Sequence, residues 1–201
     1  MDKWHKKQTE ALSKIINPKW RYADVGAALG EMNDFLMPLM DKGHLFEASP
    51  KNFKYLERKY IAMPLEKLVL NNHAVYSEEG SVDFCLNGDF MGGIEEHNRN
   101  KTDNIIKVKA VTLDEYFKDE RVDLIKIDVE GAEFEVLKGA VDLMNERSPI
   151  FQVEFHFDED WTEENINFLK STGYIMYDLD FNKVFPFQRR YQAILSKTEL
   201  C

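Results

Sequence analysis

The chain has 201 residues, 44% hydrophobic and 12% aromatic, enough apolar mass for a buried core in one globular domain. Its formal charge of -10 and pI near 5.0 argue against a surface that tracks nucleic-acid phosphates, which needs a basic stripe. Two distant cysteines, Cys85 and Cys201, are too few for a disulfide framework and suit a reducing compartment, and no apolar run nears the roughly 20 residues of a membrane span.

The opening MDKWHKKQTEALSKII is polar and lacks the apolar core and small-residue cleavage site of a secretory signal, so a cytoplasmic location is expected. Residues 1–17 read as a short amphipathic helix carried by Trp4, Leu12, Ile15 and Ile16 and stopped at Asn17-Pro18. WRYADV then predicts a strand, Leu29 to Met40 a helix ending near Gly43, and HLFEA a second strand. Pro50 opens a helix through Tyr60, and LEKLVLNNHAV supplies a third strand. Between Val82 and Val111 the alternation weakens to two short extended pieces, VDFCL and IIKVKAV, around the Gly-containing loop NGDFMGGIEEHNRNKTDN. VTLDEYF starts a short helix before the fourth strand, and IFQVEFHF is the fifth. Thr162 to Ser171 is a helix with Thr162 as N-cap and Glu163 and Glu164 in its first turn. GYIMYDL and YQAILS close the chain as strands joined by a turn. Alternating strands and helices with a terminal hairpin predict an α/β fold: a mostly parallel seven-stranded sheet, one antiparallel strand near the C-terminus, and helices on both faces. The whole chain, 1–201, reads as one domain, and its start is compatible with excision from a longer protein.

Two segments carry chemistry. In VDLIKIDVEGAEFEVLKGA a buried strand, Leu124 to Ile127, ends in Asp128 and turns at Gly131 into an amphipathic helix. Val136, Ala140 and Met144 repeat there at helical spacing, as do Leu137 and Val141. Asp128 is thereby placed at the carboxyl end of a central strand, where open α/β sheets bind ligands. RYADVGAALG is a strand running through a small-residue turn into a helix, and Gly26 and Gly30 let backbone approach a ligand closely. About twenty residues on, the second strand ends in Phe46-Glu47, and an acid at that place accepts hydrogen bonds from ribose hydroxyls.

These motifs together resemble the FkbM family of S-adenosylmethionine-dependent O-methyltransferases: DVGAALG its first motif, FEASP its second, VTLDEYF the segment before strand four, VDLIKIDVEGAE strand four, and VEFH strand five. The resemblance implies a Rossmann-like class I methyltransferase fold with S-adenosyl-L-methionine as cofactor. It implies that Asp24 heads the donor motif, that Gly26, Ala27 and Gly30 border the methionine portion, and that Glu47 holds the ribose. Ala48 and Ser49 would adjoin the adenosine and Asn72 lie on the adenine side. Two positions depart from the family, which commonly has Asn where Ala28 stands and Pro where Ala48 stands. Residues 1–17 would then either cover the donor as a lid or pack on the sheet.

For the acceptor, Asp128, Glu154 and His156 are the catalytic candidates, since a hydroxyl is a poor nucleophile until a base or a metal draws off its proton. Glu154 and His156, two apart on a strand, point to one face. His156 as base, or a divalent metal held by Asp128, Glu154 and His156, are both open from the sequence. Glu130 and Glu133 would complement the helix N-terminus, Lys126 would snorkel or pair with an acid, and Trp161 in FHFDEDW would line an acceptor pocket or pack on the core. The expected acceptor is a small hydroxylated molecule, a sugar within a glycan foremost, with no nucleic-acid partner and the oligomeric state open. Two rival readings remain at this point: a dinucleotide oxidoreductase, disfavoured because Ala28 and Glu31 break the Gly-x-Gly-x-x-Gly turn, and a non-catalytic module derived from a methyltransferase.

Overall fold

Alternation along the central strands sorts side chains to two faces, and the fold follows from what covers each. A computed structural model describes residues 3–87, 91–97, 102–184 and 192–200. In chain order the elements are α1 (Lys3–Ser13), β1 (Arg21–Val25), α2 (Glu31–Leu36), β2 (Lys42–Phe46), α3 (Pro50–Lys59), β3 (Leu68–Asn71), β4 (Ala74–Val75), β5 (Gly80–Asn87), β6 (Met91–Ile94) and β7 (Ile105–Val111). There follow α4 (Leu113–Tyr116), β8 (Leu124–Ile127), α5 (Glu133–Lys138), α6 (Val141–Glu146), β9 (Ile150–Glu154), α7 (Glu163–Ser171), β10 (Ile175–Tyr177) and β11 (Gln192–Ser196).

The main sheet has the order β10-β11-β9-β8-β1-β2-β3, parallel except for β11, which runs antiparallel to both β9 and β10. Its α/β architecture is the one expected, with helices on both faces. On one face Ala23, Val25, Ile125, Ile127, Phe151 and Val153 pack under α4 to α7 through Phe117, Phe134, Val136, Leu143 and Leu169. On the other, Tyr22, Leu45, Leu124, Ile150 and Ile194 pack under α1 to α3 through Leu12, Met32, Leu36 and Leu56. The order reverses between β1 and β8, which makes the tips of these two strands the switch point where such sheets take ligands. No helix among the described residues is long and apolar enough to cross a membrane.

Four local expectations change. The segment LEKLVLNNHAV is two strands in different sheets, because the chain leaves the main sheet at Asn72-His73; β4 joins β7, and β5 pairs antiparallel with β7 and β6. The extended pieces between Val82 and Val111 thus build a second, four-stranded sheet that the sequence did not announce. The helix expected from Leu29 to Met40 shortens to α2 and a 3-10 turn over Met37–Leu39: Gly30, at φ 70, starts α2, and Pro38 withholds an N–H. The single helix after Gly131 is α5 and α6, broken at Gly139. A Cβ there would meet the Tyr76 carbonyl oxygen at 2.2 Å, and the Asp114 carboxylate caps α6 by accepting from Asp142 N (3.1 Å) and Leu143 N (2.7 Å). Thr162 caps α7 as expected, its hydroxyl accepting from Asn165 N. The turn expected between the last two strands and part of the Gly-containing loop fall outside the described residues, as does the Trp4 side chain.

Helix α1 lies against α2 and buries Ala11 and Leu12 in the core under the sheet. Truncation of Leu12, which is wholly buried, should therefore cost about 2–5 kcal/mol. Urea unfolding of Leu12→Ala is the check, and an unchanged midpoint would show that α1 does not contribute to the fold.

Candidate active site

A cleft of about 320 Å³ opens at the tips of β1, β2, β8 and β9 and is bounded on one side by the second sheet through Ala74, Val75, Phe84, Gly92 and Ile94. Gly26, Ala28, Glu47, Ala48, Asp128, Glu130, Glu154 and His156 line it together.

Glycine is obligatory at the β1 turn: Gly26 has φ 82, and a Cβ there would lie 1.8 Å from the Asp128 carbonyl oxygen. The turn is drawn onto β2 by Gly26 N and Ala27 N, both donating to Phe46 O at 3.0 Å. Glu47 locks it from the other side, Oε2 accepting from Ala28 N and Oε1 from Ser49 N, each at 2.8 Å. Burial pushes the Glu47 pKa up to about 7, even though the Ser49 and Ala28 N–H groups pull the other way.

Beneath the turn lies a buried charged row. Lys126 Nζ is 3.1 Å from Asp24 Oδ1 and 3.2 Å from Asp128 Oδ2, and Asn33 Nδ2 donates to Asp24 Oδ2 at 2.5 Å. Burial alone would favour the neutral amine, but Asp128 and Asp24 hold Lys126 above its ordinary range. Burial raises the Asp24 pKa against the opposing pull of Lys126 and Asn33.

Beside Asp128 the chain turns sharply through Glu130 (φ 59) and Gly131 (φ 118). His156, two residues past Glu154, sits over this turn with Nδ1 2.8 Å from Glu133 Oε1. Its Nε2 is 3.6 Å from Asp128 Oδ1 and 3.6 Å from Glu130 Oε2. Burial would lower the His156 pKa, yet Glu133, Asp128 and Glu130 raise it to about 9. Glu133 is itself buried and accepts from Gly131 N at 2.9 Å. Glu154 forms a separate node: Oε2 accepts from Gln8 Nε2 of α1 at 2.6 Å and from Gln192 Nε2 of β11 at 3.2 Å.

The structure thus gathers Gly26, Ala48, Glu47, Asp128, Glu154 and His156 on one cleft, while Asp24 and Ala27 border an adjoining depression with Lys126. Three other candidates are buttresses and do not line the cleft. Gly30 leaves room for the Tyr60 hydroxyl, which donates to its carbonyl at 3.0 Å; Ser49 caps α3; and Asn72 Nδ2 donates to the Glu47 and Ala48 carbonyls at 2.8 and 3.2 Å. Trp161 packs between Phe134 and Phe155, the core alternative of its two readings. Glu130 and Glu133, expected only to complement a helix end, instead face His156. Gln8 and Gln192 had no sequence signal, because their shared partner lies far away in the chain.

Glycine turn, strand-tip acid and strand order define a class I methyltransferase fold. The FkbM methyltransferase domain model matches residues 24–176, and the chain belongs to that family. The oxidoreductase reading falls with this assignment. Among solved structures, the FkbM methyltransferase of Methylobacillus flagellatus KT is similar over 90% of this chain, with 16% identity and a TM-score of 0.61. This chain spans only 44% of that structure's length. A Streptococcus mutans protein assigned to the methyltransferases and solved with SAH matches over 98% of this chain and 99% of its own (11% identity, TM-score 0.55). A precorrin-6y C5,15-methyltransferase from Geobacter metallireducens GS-15 matches over 94% and 84% (11% identity, TM-score 0.52). No curated protein matches the chain in sequence.

Lys126 is the cation paired with Asp24 among the described residues, so Lys126→Met strands a buried carboxylate and should cost about 3–5 kcal/mol. Adding Asp24→Asn should restore much of that loss in urea unfolding. A fully stable Lys126→Met variant would show that the pair does not hold the strand tips.

Proposed function

We propose that this protein is an S-adenosylmethionine-dependent O-methyltransferase whose acceptor is a small hydroxylated molecule, a sugar within a glycan foremost. The observation that carries the reading is one cleft, in a chain of the FkbM family, that joins a ribose-binding type of acid, Glu47, to a cluster of ionisable groups, Asp128, Glu130 and His156.

The residues present fit the donor. Glu47 would hold the ribose hydroxyls, the Gly26-Ala27-Ala28 backbone would border the methionine portion, and Ala48, Ala74, Val75, Phe84 and Ile94 give an apolar surface for the adenine. Asp128 and Glu130 suit the cationic sulfonium and α-ammonium groups better than they would a pyrophosphate. When bound, S-adenosylmethionine supplies an activated methyl group; the Streptococcus mutans relative, solved with SAH, supports this choice of donor. Asp24 contributes from below, through Lys126, by holding the turn.

On the acceptor side the chain's task is to orient a hydroxyl and take its proton as the oxygen–methyl bond forms. Asp128 and Glu130 present two carboxylates for that proton within a few ångströms, with His156 beside them, and Glu154 closes the same wall. The departures at Ala28 and Ala48 leave the donor contacts to backbone, because the Ala28 N–H already reaches Glu47.

Donor binding should report the ionisation of Glu47. Ribose hydroxyls donate to its carboxylate and so prefer the charged form, whereas the free group titrates near 7. Calorimetric affinity for S-adenosylhomocysteine should fall as pH drops below about 7, approaching about tenfold per unit, and this slope should vanish in Glu47→Gln. Above that range Glu47→Ala should lose about 1–3 kcal/mol. A pH-independent affinity in the unaltered chain would remove Glu47 from the ribose.

Turnover should isolate the acceptor wall. With labelled donor and a glycan panel, Glu154→Ala and His156→Ala should each reduce methyl transfer by about 100- to 10,000-fold with donor affinity nearly unchanged, and Asp128→Ala should lose both turnover and donor affinity. A chain that binds S-adenosylhomocysteine yet methylates no hydroxyl would instead favour the non-catalytic module.

A further inference from the structure

The two carboxylates that face His156 Nε2 stand farther off than hydrogen-bond length, at separations that one shared ion would fit. Nε2 stands 3.6 Å from Asp128 Oδ1 and 3.6 Å from Glu130 Oε2, beyond the roughly 2.7–3.2 Å of an N–H···O bond. Ligands that share one first-row divalent ion, each about 2.1 Å from it, are separated by roughly 3–3.5 Å, which these side chains meet with a small adjustment. One ligand atom from each of the three residues lies within 4.8 Å of the others.

A second observation comes from the far side of the ring. Glu133, 1% exposed, accepts from Nδ1 at 2.8 Å and thereby fixes the ring's tautomer and orientation, leaving Nε2 as the atom directed at the two carboxylates. A buried carboxylate behind a histidine is the arrangement that orients imidazole ligands on metal ions. The other Glu133 oxygen, Oε2, is buried without a partner, so the carboxylate is kept there at a desolvation cost that its contacts with His156 and Gly131 N offset. Lys126 occupies Asp128 Oδ2 and leaves Oδ1 for the His156 side.

We propose that Asp128, Glu130 and His156 bind one divalent cation of the Mn²⁺ or Zn²⁺ type, and that its open positions take two adjacent hydroxyls of the acceptor. Two carboxylate oxygens with one imidazole suit a borderline first-row ion better than Mg²⁺ or Ca²⁺, which prefer oxygen alone. Side-chain exposures of 19%, 35% and 12% leave one side of the cluster open to the cleft. The ion takes the Nε2 lone pair, so any proton there is released to solvent as it binds. This ligand set replaces the Asp128-Glu154-His156 trio suggested by the sequence, because Glu154 is engaged by Gln8 and Gln192. The ion site stands on its own geometry; the diol half rests on the acceptor reading above.

The test is titration of MnCl₂ into the chelator-stripped chain, followed by calorimetry and by the electron paramagnetic resonance of free Mn²⁺. One ion should bind per chain. Asp128→Asn, Glu130→Gln and His156→Ala should each abolish binding, and Glu133→Gln, which keeps all three ligands, should weaken it by about 10- to 100-fold. Urea-unfolding midpoints of the same variants report that they are folded. No Mn²⁺ or Zn²⁺ bound by a chain that binds S-adenosylhomocysteine, or binding indifferent to all four changes, would overturn the site. One Mn²⁺ bound without any S-adenosylhomocysteine binding would uphold the site while overturning the donor reading. For the diol, a sugar with adjacent hydroxyls should displace water from the bound Mn²⁺ and lower the water proton relaxation rate, and its monodeoxy analogue should not. Equal responses to the two sugars would overturn that half.

Discussion

Lys126 sits with its ammonium inside the sheet, and the two carboxylates that neutralise it lie at the tips of different strands, Asp24 on β1 and Asp128 just past β8. In a medium of low dielectric an ammonium and its partners tolerate little displacement, since each lost contact exposes an uncompensated charge. The pair also guards register: Asp24 stands opposite Lys126 across the β1–β8 ladder, and a slip of one residue would turn Lys126 into the apolar layer of Phe134 and Val136. The switch point is thereby held at a defined width. The Gly26 turn, packed against the Asp128 carbonyl, inherits that geometry, and through it so does Glu47.

What the sequence made legible was local. The continuously buried strand runs RYADV, LIKI and IFQVE, the glycine at a turn with positive φ, and an acid at a strand tip each depend on neighbours a few residues away. Where structure departed from expectation, the cause was more often a distant partner than a local one such as Pro38. Nothing in LVLNNHAV reveals that its first half pairs with β2 and its second with β7, because both halves are short apolar runs. Glu133 reads as a helix-end acid until His156, 23 residues on, is folded over it. Trp161 lies among acids that suggest an exposed loop, and only the rings of Phe134 and Phe155 explain its place.

The departure at position 28 has a physical reading. Ala28 adopts φ 46, a left-handed conformation that asparagine tolerates better than alanine. The strain is the cost of aiming its N–H at the Glu47 carboxylate, and that bond needs only the backbone of residue 28. Loss of the side-chain amide common in the family therefore leaves the turn intact. Ala48, in place of proline, packs against the small sheet's apolar cluster and keeps an apolar lining in the cleft.

Glu154 takes its two amide partners from residues 146 positions before it and 38 after it. As the chain emerges during synthesis, the first helix is made long before this carboxylate exists, and the last strand is made well after it. Until Gln192 arrives, the acid can be met from one side only. This wall of the cleft therefore has its full set of contacts only once the antiparallel strand β11 has closed beside β9.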